Sequence, residues 1–552
     1  MYFKIKHFKR DFSKWSLILV AICVLVSLPI ISIIFGLFKG VGEMWNHIVA
    51  YFLLDYVINS IYLILGCSLI CFTIGVSSAW VVSKYQFKGR KLFEWLLFMP
   101  LSIPSYIVAY TYVGLLGNGG TLIILLNKVG LNIQKIEVMN IGGLIWVLSF
   151  SLYPYVYAAS RAIFISFPNS IKETSFLLGA SRIKYFLKIV LPLSSPAIIG
   201  GLFLVSMEVL NDYGAAKYFG INTFTTGIFR TWTALEDIQS SIYLCGILVC
   251  LVLALVLLVK WWRGKKSYDL KLDGEKNHTL KRQNVSGTKK FLCYFTISVP
   301  VIFGFLLPLF QLLKWAFQTF ENVFNKSFLY ITFQSMYVAF FTSILIIIIS
   351  ILLIYLSKWN YLKQFNFLTK ISIIGYVIPG AIIGIAVISN SQSIINFFND
   401  FLNLRVGYLF YSSSVVLIYA YIFRFLAVGF NSIEANTLKL GKNLAESSYL
   451  LNKSKLRTLI KIDLPLLKTT IFGAFILVFI DVLKELPLTL ILKPYNLQTL
   501  AVHAYAYAED ERVAEASIPA LFLIFLVGLL ISIFNINISE FKLKQTLGRK
   551  RN

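Results

Sequence analysis

The chain has 552 residues, of which 58% are hydrophobic and only 14% are charged, whereas soluble domains carry about 25% charged residues. This composition excludes a soluble protein, and the length needed for membrane spans leaves room only for loops, which excludes a large appended catalytic domain. The net charge of +26 comes from short basic clusters between apolar runs, which indicates orientation in a lipid bilayer rather than binding of nucleic acid.

Apolar runs of spanning length recur along the whole chain. Each must be a helix, because every backbone polar group in lipid has to pair within its own span. The runs lie at 16–37, 55–82, 92–116, 141–165, 189–211, 239–260, 291–316, 330–356, 365–390, 409–432, 462–483 and 515–538. The sequence therefore predicts an all-α membrane protein with twelve transmembrane helices, of which the third and ninth are bent at Pro104 and Pro379.

Basic loops alternate with loops that are poor in Lys and Arg. The basic ones are the N-terminus, 84–91, 166–188, 261–290, 433–461 and the C-terminal tail. Because positively charged loops stay in the cytoplasm, both termini are predicted to be cytoplasmic in a multi-pass protein of the cell (inner) membrane. The charged, non-periodic segment 261–290 is predicted to be a flexible tether and nothing more.

The two halves of the chain repeat each other. At a constant offset of 273, Glu173 pairs with Glu446, Pro192 with Pro465, and Asp212 with Glu485, whose residue numbers differ by this offset. The predicted organisation is therefore a first six-span copy at 1–260, a cytoplasmic linker at 261–290 and a second six-span copy at 291–552. An even number of spans makes the copies parallel, which predicts a pathway on the axis between them.

Each copy has one cytoplasmic loop, 166–188 or 439–461, in which apolar residues recur at helical spacing before a Leu-Pro that enters the next span. The residues that recur are Glu173, Thr174, Ser175, Gly179, Leu191 and Pro192 in the first copy and Glu446, Ser447, Ser448, Asn452, Leu464 and Pro465 in the second. Asn452 stands where the first copy has glycine, and Asn tolerates a left-handed backbone better than most residues. The spacing resembles the EAA loop of ABC-importer permeases, with Thr and Ser in place of the two alanines.

This resemblance implies the fold of a type I ABC importer permease and coupling of both loops to two copies of an ATPase subunit. The chain contains no phosphate-binding pattern GxxxxGK followed by Ser or Thr. ATP and Mg are therefore expected on the partner ATPase. The chain itself is expected to be a transport subunit without a bound cofactor and not an enzyme.

Carboxylates stand at the predicted extracellular ends of spans 5 and 11. Glu208 and Asp212 form one pair and Asp481 and Glu485 the other, each at i, i+4 and so on one helix face. A charge at the bilayer centre costs about 2.5–3.5 kcal/mol, which disfavours lipid exposure. We predict that the four line a substrate pathway for a cation; salt bridges to Lys217 or Lys484, or docking of a binding protein, are the alternatives.

Two further stretches, Ser206–Trp232 and Asp481–Leu521, look like those of ferric-iron ABC-importer permeases. This resemblance implies that an extracytoplasmic iron-binding protein delivers Fe(III), with transient metal contacts at the four carboxylates. The fused layout is shared with thiamine permeases, so an organic cation such as thiamine or a polyamine is the alternative substrate.

Two rival classes of function are less favoured. An ion-gradient-driven secondary transporter also uses repeated halves, but it would not need paired docking loops. A membrane enzyme would need a nucleophile, a base and an orienting group, and the sequence offers no such constellation.

Arg161 and Arg424 fall in the fourth and tenth predicted spans, close to their cytoplasmic ends. We expect these two side chains to extend towards the aqueous interface. The six cysteines are expected to pack as small apolar side chains.

Overall fold

The computed structural model describes residues 14–548 with gaps at 133, 168, 264–281, 360–362, 403–406, 408–412, 439, 441–445, 449 and 452. Helix dominates the described chain, as lipid requires of a spanning backbone. The helices are α1 (Lys14–Leu37), α2 (Trp45–Tyr51), α3 (Leu53–Lys84), α4 (Arg90–Leu96), α5 (Ser105–Leu116), α6 (Thr121–Lys128), α7 (Ile141–Ser166), α8 (Asn169–Leu177), α9 (Arg182–Tyr185), α10 (Leu191–Asn211), α11 (Gly214–Tyr218), α12 (Phe224–Thr233), α13 (Ile238–Arg263), α14 (Gly287–Val301), α15 (Leu307–Val323), α16 (Lys326–Trp359), α17 (Lys363–Ser372), α18 (Gly380–Leu402), α19 (Val415–Thr437), α20 (Lys455–Thr458), α21 (Leu464–Lys484), α22 (Pro487–Leu492), α23 (Leu500–Glu509) and α24 (Ser517–Gly548).

Shorter elements join some of these helices. Turns of 3-10 helix lie at Met99–Ser102 and Ile374–Val377, and π-helical turns lie at Phe186–Val190, Ile302–Leu306 and Leu459–Asp463. Each π-helical turn leads directly into a Leu-Pro pair, at Leu191, Leu307 and Leu464. A proline ring clashes with the carbonyl four residues earlier, and the wider π turn gives that carbonyl room without ending the helix.

Ten helical segments of the described chain are long and apolar enough to cross a membrane, or eleven if the bent pair Phe367–Val377 and Gly380–Gln392 counts as one span. A shorter apolar stretch, Ser517–Ser532, lies in α24, where the twelfth span is predicted. The all-α membrane fold is therefore confirmed.

The third predicted span, 92–116, has the wrong bounds. The structure breaks it into α4, a 3-10 turn and α5, and the spanning segment runs from Ser105 to Lys128. The predicted bend at Pro379 is confirmed, because the ninth span turns by 115° next to it, whereas Pro104 does not bend a span but directly precedes the first residue of α5. Proline has no N–H to donate, so a helix begins after it more easily than it continues through it.

The chain forms two compact units. One comprises Gly42–Asn322 and Ala504–Leu521, and we call it the 42–322 unit. The other, the 323–503 unit, comprises the described residues of Met1–Val41, Val323–His503 and Phe522–Asn552. The units differ from the predicted sequence copies 1–260 and 291–552, because each unit contains the first span of the other copy.

Contacts within the 323–503 unit hold α1 against helices of the second sequence copy. The Ser32 hydroxyl donates to the carbonyl of Ala386 in α18 at 3.3 Å, and the Tyr419 hydroxyl of α19 donates to the carbonyl of Leu25 at 2.7 Å. In the 42–322 unit the Tyr112 hydroxyl donates to the carbonyl of Phe303 at 2.6 Å, which ties the seventh span to α5. The exchange of first spans is therefore reciprocal.

The predicted linker 261–290 is more than a tether in its described part. Helix α13 continues to Arg263, and β2 (Gln283–Asn284) pairs in parallel with β1 (Tyr85–Gln86), which follows α3. The end of the linker is thus fixed against the loop between the second and third predicted spans. Residues 264–281 lie outside the described part of the chain.

Five of the six cysteines are buried, as expected for small apolar side chains, and the sixth, Cys250, is exposed. The expectation is therefore wrong for Cys250. Its helix, α13, presents many exposed apolar side chains, among them Leu253 and Leu257, so this face needs no polar residue.

Candidate functional site

The first cytoplasmic loop forms a short helix, a tight turn and a second short helix. Helix α8 ends at Leu177, and Gly179 follows with a positive φ of 78°, which favours glycine because it has no Cβ. The amides of Leu178 and Ala180 donate to the carbonyls of Thr174 and Ser175, both at 3.0 Å. These two bonds satisfy carbonyls that the end of a helix otherwise leaves without partners.

The turn delivers the chain into the next span without an irregular segment. The Ser181 side chain accepts a hydrogen bond from the amide of Lys184 and so caps α9. Helix α9, the π-helical turn and α10 then follow one another directly, from Arg182 to Asn211. One short turn therefore joins α8 to a continuous spanning helix.

The exposed surface of this loop is apolar. Leu177 and Leu178 are 87% and 83% exposed, next to the exposed Glu173 and Thr174. Ser175, by contrast, is buried and donates to the carbonyl of Ile171. A groove lined by Ile171, Thr174, Ser175, Leu178, Ala180, Lys184 and Ile189 runs beside it. Two fully exposed adjacent leucines are typical of a surface that a partner covers.

The second loop repeats this arrangement in the 323–503 unit. Glu446 and Ser447 are exposed, whereas Ser448 is buried and its hydroxyl lies 2.8 Å from that of Thr458. Leu450 and Leu451 are 87% and 71% exposed, at the offset of 273 from the leucine pair of the first loop. Asn452, which was predicted to replace the glycine, lies outside the described residues.

The loop residues that enter the spans also match between the copies. Leu191-Pro192 and Leu464-Pro465 each directly follow a π-helical turn inside a continuous helical span. We did not predict from the sequence that the leucine pair of each loop is exposed. The position of each pair shortly after a serine that both copies share, Ser175 or Ser448, was nevertheless visible in the repeat.

The carboxylates of the first copy lie where α10 ends. Glu208 is half-buried in the last turn, and the Tyr155 hydroxyl donates to it at 3.5 Å. Asp212 directly follows the helix and accepts hydrogen bonds from the amides of Ala215 and Ala216 at 2.9 and 3.2 Å, as well as from the Ser105 hydroxyl. Asp212 therefore caps the short helix α11.

The carboxylates of the second copy occupy the same positions at the end of α21. Asp481 is half-buried, and Glu485 directly follows the helix and accepts a hydrogen bond from the amide of Leu488 at 3.0 Å. Its other carboxylate oxygen pairs with Arg424 Nε at 3.3 Å, and the two side chains are only 5% and 7% exposed. Salt bridging of Glu485 is thus present, with Arg424 as a partner that the sequence did not predict.

The expectation that Arg424 reaches the aqueous interface is therefore wrong. Helix α19 continues to Thr437, so Arg424 lies more than three turns before its end, where burial favours an ion pair. Arg161 pairs with Glu94 of α4 instead of extending freely.

No group of three or more His, Cys, Asp or Glu side chains in the described part of the chain is arranged to hold a metal ion. The predicted transient Fe(III) contacts at Glu208, Asp212, Asp481 and Glu485 stay a prediction.

Comparison with known proteins identifies the class. Residues 71–263 match the family of binding-protein-dependent transport system inner membrane components, a region that contains the first loop and the first carboxylate pair. Within the multi-span helical fold, the first loop and the first carboxylate pair therefore lie in a segment that is similar to inner membrane components of that class.

Individual relatives narrow the comparison. The chain is 23% identical over 481 residues to the Fe(3+)-transport system permease protein FbpB 2 of Haemophilus influenzae, which covers 84% of this chain and 86% of the relative. It is 26% identical over 148 residues to the sulfate transport system permease protein CysT of Escherichia coli, which covers 27% of this chain and 52% of the relative. A probable sulfate permease cysT of Chlorokybus atmophyticus is 24% identical over 38% of this chain and 72% of its own length. These relatives are permease subunits and not enzymes.

Proposed function

We propose that this chain is the permease subunit of an ATP-driven importer and forms the translocation pathway for ferric iron delivered by an extracytoplasmic binding protein. The observation that carries the transport mechanism is the pair of loops, each with two exposed leucines at the same register of the repeat. The choice of ferric iron is supported by the relative that matches both copies, whereas the sulfate permeases match about two-fifths of the chain or less.

Two copies of a separate ATPase subunit dock on the loops in this proposal. The exposed pair Leu177 and Leu178 and the exposed pair Leu450 and Leu451 supply one apolar contact for each copy. Burying a leucine side chain contributes about 1.5–3 kcal/mol, so each pair supplies a substantial part of a docking energy. ATP and Mg are bound by the partner.

The docked helix moves as a rigid body with its span. In the first loop the Phe176 ring packs on Tyr185, 5.5 Å between centroids, and Tyr185 in turn packs on Trp80 of α3. Movement of the ATPase is thereby passed to α10 and α3 together and alternates the access of the pathway. In this orientation the basic loops and both termini are cytoplasmic.

The four carboxylates Glu208, Asp212, Asp481 and Glu485 act on the substrate cation in this proposal. Asp212 and Glu485 also accept amide hydrogen bonds from the turn that follows each helix, so they position that turn. Glu208 and Asp481 lie one helical turn earlier and present their side chains along the same face. Carboxylate oxygens suit a hard cation such as Fe(III).

The coupling proposal is tested by uptake of radioactive iron into proteoliposomes that contain the chain, its ATPase and its binding protein. Replacing Leu177 and Leu178 with alanine should reduce ATP-dependent uptake by more than about tenfold, since the two lost leucine contacts together remove more than about 2 kcal/mol of docking energy. The matched control replaces Val129 and Leu131, an exposed apolar pair between α6 and α7, and should change uptake less than about twofold.

Two results would contradict the proposal. Full uptake without the ATPase that collapses on addition of an uncoupler would identify a gradient-driven transporter. Equal losses in the leucine variant and its control would show that the loop has no special role.

The substrate part is tested by E208Q and D481N combined, with D55N as a control on an exposed carboxylate at the start of α3. Iron uptake should fall severalfold while binding of the ATPase stays unchanged, because only the charges at the helix ends are removed. If thiamine were transported, and iron at the same concentration did not compete with it, the chain would instead be identified as an organic-cation permease.

A further inference from the structure

In the 42–322 unit, two arginines pair with one carboxylate that belongs to neither loop and to neither carboxylate pair, and a third arginine lies within electrostatic reach of both. Arg90 Nη1 donates to Glu94 Oε2 at 2.7 Å across one turn of α4, and Arg161 of α7 pairs with the other oxygen of Glu94. The third, Arg282, directly precedes β2, and the pairing of β2 with β1 fixes it close to the start of α4. We call Arg90, Arg161, Arg282 and Glu94 the arginine cluster.

The cluster lacks hydrogen-bond acceptors. The Nε atoms of Arg90, Arg161 and Arg282 are buried and have no hydrogen-bond partner in the part of the chain that the structure describes. The Arg90 side chain is 9% exposed, so water reaches little of it. Buried donors without partners are rare and cost free energy. Three such donors in one cluster of side chains therefore need an explanation.

The cluster also has too little negative charge. Arg90 and Arg161 pair with Glu94 and Arg282 lies within electrostatic reach of both arginines, so the cluster carries three positive charges against one negative charge. Arg161 lies within electrostatic reach of both Arg90 and Arg282. Burial and then the charge of Arg90 lower the pKa of Arg282, which means that keeping the charged groups together costs free energy. A bound anion would remove this repulsion and accept the unused hydrogen bonds.

The chemistry and place of the cluster select the anion. The planar guanidinium group matches the oxygen spacing of phosphate, and several arginines around one site are typical of phosphate binding. Arg161 lies in the last turns of α7 and Arg282 in the segment between two spans, so the cluster is at the boundary between membrane and water. Basic pockets between membrane helices bind phosphate-bearing headgroups of anionic lipids.

We propose that Arg90, Arg161 and Arg282 form a binding site for a phosphate group, supplied either by the headgroup of an anionic phospholipid or by free inorganic phosphate. Glu94 positions two of the arginines and limits the affinity of the site. The bound anion also joins the end of the linker to α4 and α7, since each arginine comes from a different segment.

Both sources are tested on the purified full chain. In the lipid arm, native mass spectrometry counts phosphatidylglycerol that stays bound after transfer from mixed detergent micelles, with phosphatidylcholine as the reference lipid. In the free-anion arm, the chain in phosphatidylcholine nanodiscs is titrated with inorganic phosphate and followed by phosphorus NMR line broadening. Neither readout depends on transport, so a failure here is distinct from a failure of the proposed function.

Two variants are expected to change anion binding in opposite directions. R282Q should weaken binding by about tenfold, because one charge-assisted hydrogen bond is lost, and E94Q should strengthen it because the competing carboxylate is removed. The matched control K91Q removes an exposed charge next to Arg90 and should change binding less than about twofold. R282Q lies outside the helices and removes one of the repelling charges, so its apparent Tm without anion should not fall below that of the unmodified chain, which keeps the test independent of folding.

The outcomes decide between the sources and the proposal. Retained phosphatidylglycerol without phosphate binding identifies a lipid headgroup, and phosphate binding in nanodiscs identifies a free anion. Binding in neither arm, or equal losses in R282Q and K91Q, overturns the proposal. A third overturning result would be phosphate or lipid binding only when Asp269, Asp273 and Glu275 of the linker are replaced by their amides. That result would mean that linker carboxylates, and not a phosphate group, occupy the arginine cluster in the unmodified chain.

Discussion

The chain breaks after α10 and after α21 are the same device built with different partners. In both, the residue that directly follows the helix is acidic, and its carboxylate accepts a hydrogen bond from the amide three residues later. Asp212 accepts from Ala215, and Glu485 accepts from Leu488. In both, a threonine hydroxyl donates at 2.8 Å to the carbonyl of that same acidic residue. The backbone task has thus been retained in both copies of the repeat.

The second partner of the carboxylate is where the two breaks differ. Asp212 accepts from the neutral hydroxyl of Ser105, whereas Glu485 pairs with the buried Arg424. The residue after Pro379, in the place of Ser105, is Gly380, and a Cβ there would lie 2.6 Å from Arg424 Nη1 and 2.8 Å from Glu485 Oε1. The missing side chain makes room for the guanidinium group. Duplication therefore preserved the helix cap and changed the way its charge is compensated.

The largest expected effect is that of R424A. Removal of the arginine leaves Glu485 buried without a counter-charge, which should lower the free energy of unfolding by about 3–5 kcal/mol. S105A, the corresponding change in the first copy, removes one hydrogen bond and should cost about 1–2 kcal/mol. Thermal unfolding of the detergent-solubilised chain measures both, and equal losses would show that the two breaks do not differ in their electrostatics.

A second prediction converts one break into the other. G380S should destabilise the unmodified chain by about 1–3 kcal/mol, because the new side chain meets the guanidinium and carboxylate groups. In the R424A background the same change should stabilise, since the space is then free and the new hydroxyl can donate to Glu485 as Ser105 does to Asp212. The sign of the G380S effect in the two backgrounds is the measurement, and the same sign in both would contradict the comparison.

The smallest expected effect concerns the cap itself. D212A should cost about 1 kcal/mol, because the amides of Ala215 and Ala216 and the Ser105 hydroxyl lose their acceptor while the cost of burying the carboxylate is also removed, whereas D212N keeps a capping oxygen and should cost less. The apparent Tm of the two variants checks the order. If D212N proved the more damaging change, the charge of Asp212 rather than its cap would be the important property.

Much of this arrangement could be predicted from the sequence. The offset of 273 located both carboxylate pairs and both loops, Pro104 located the start of a helix and Pro379 located a bend, because proline has a local and unavoidable effect on a helix. Arg424 was misplaced because its predicted span ended at 432 and apolar runs define helix ends poorly. Gly380 carried no signal, since its role depends on a side chain more than forty residues away. The exchange of first spans was also out of reach, because a repeat does not say which copy a helix packs against.

The exchanged first helix has a consequence for biosynthesis. Helix α1 is the first span that the ribosome makes, yet the carbonyl of Ala386 and the hydroxyl of Tyr419, to which it bonds, are made more than three hundred residues later. At about 5–20 residues per second, α1 waits on the order of tens of seconds in the bilayer for its neighbours. No charged residue follows Lys14 in α1, which is what allows a newly inserted segment to survive that interval in lipid alone.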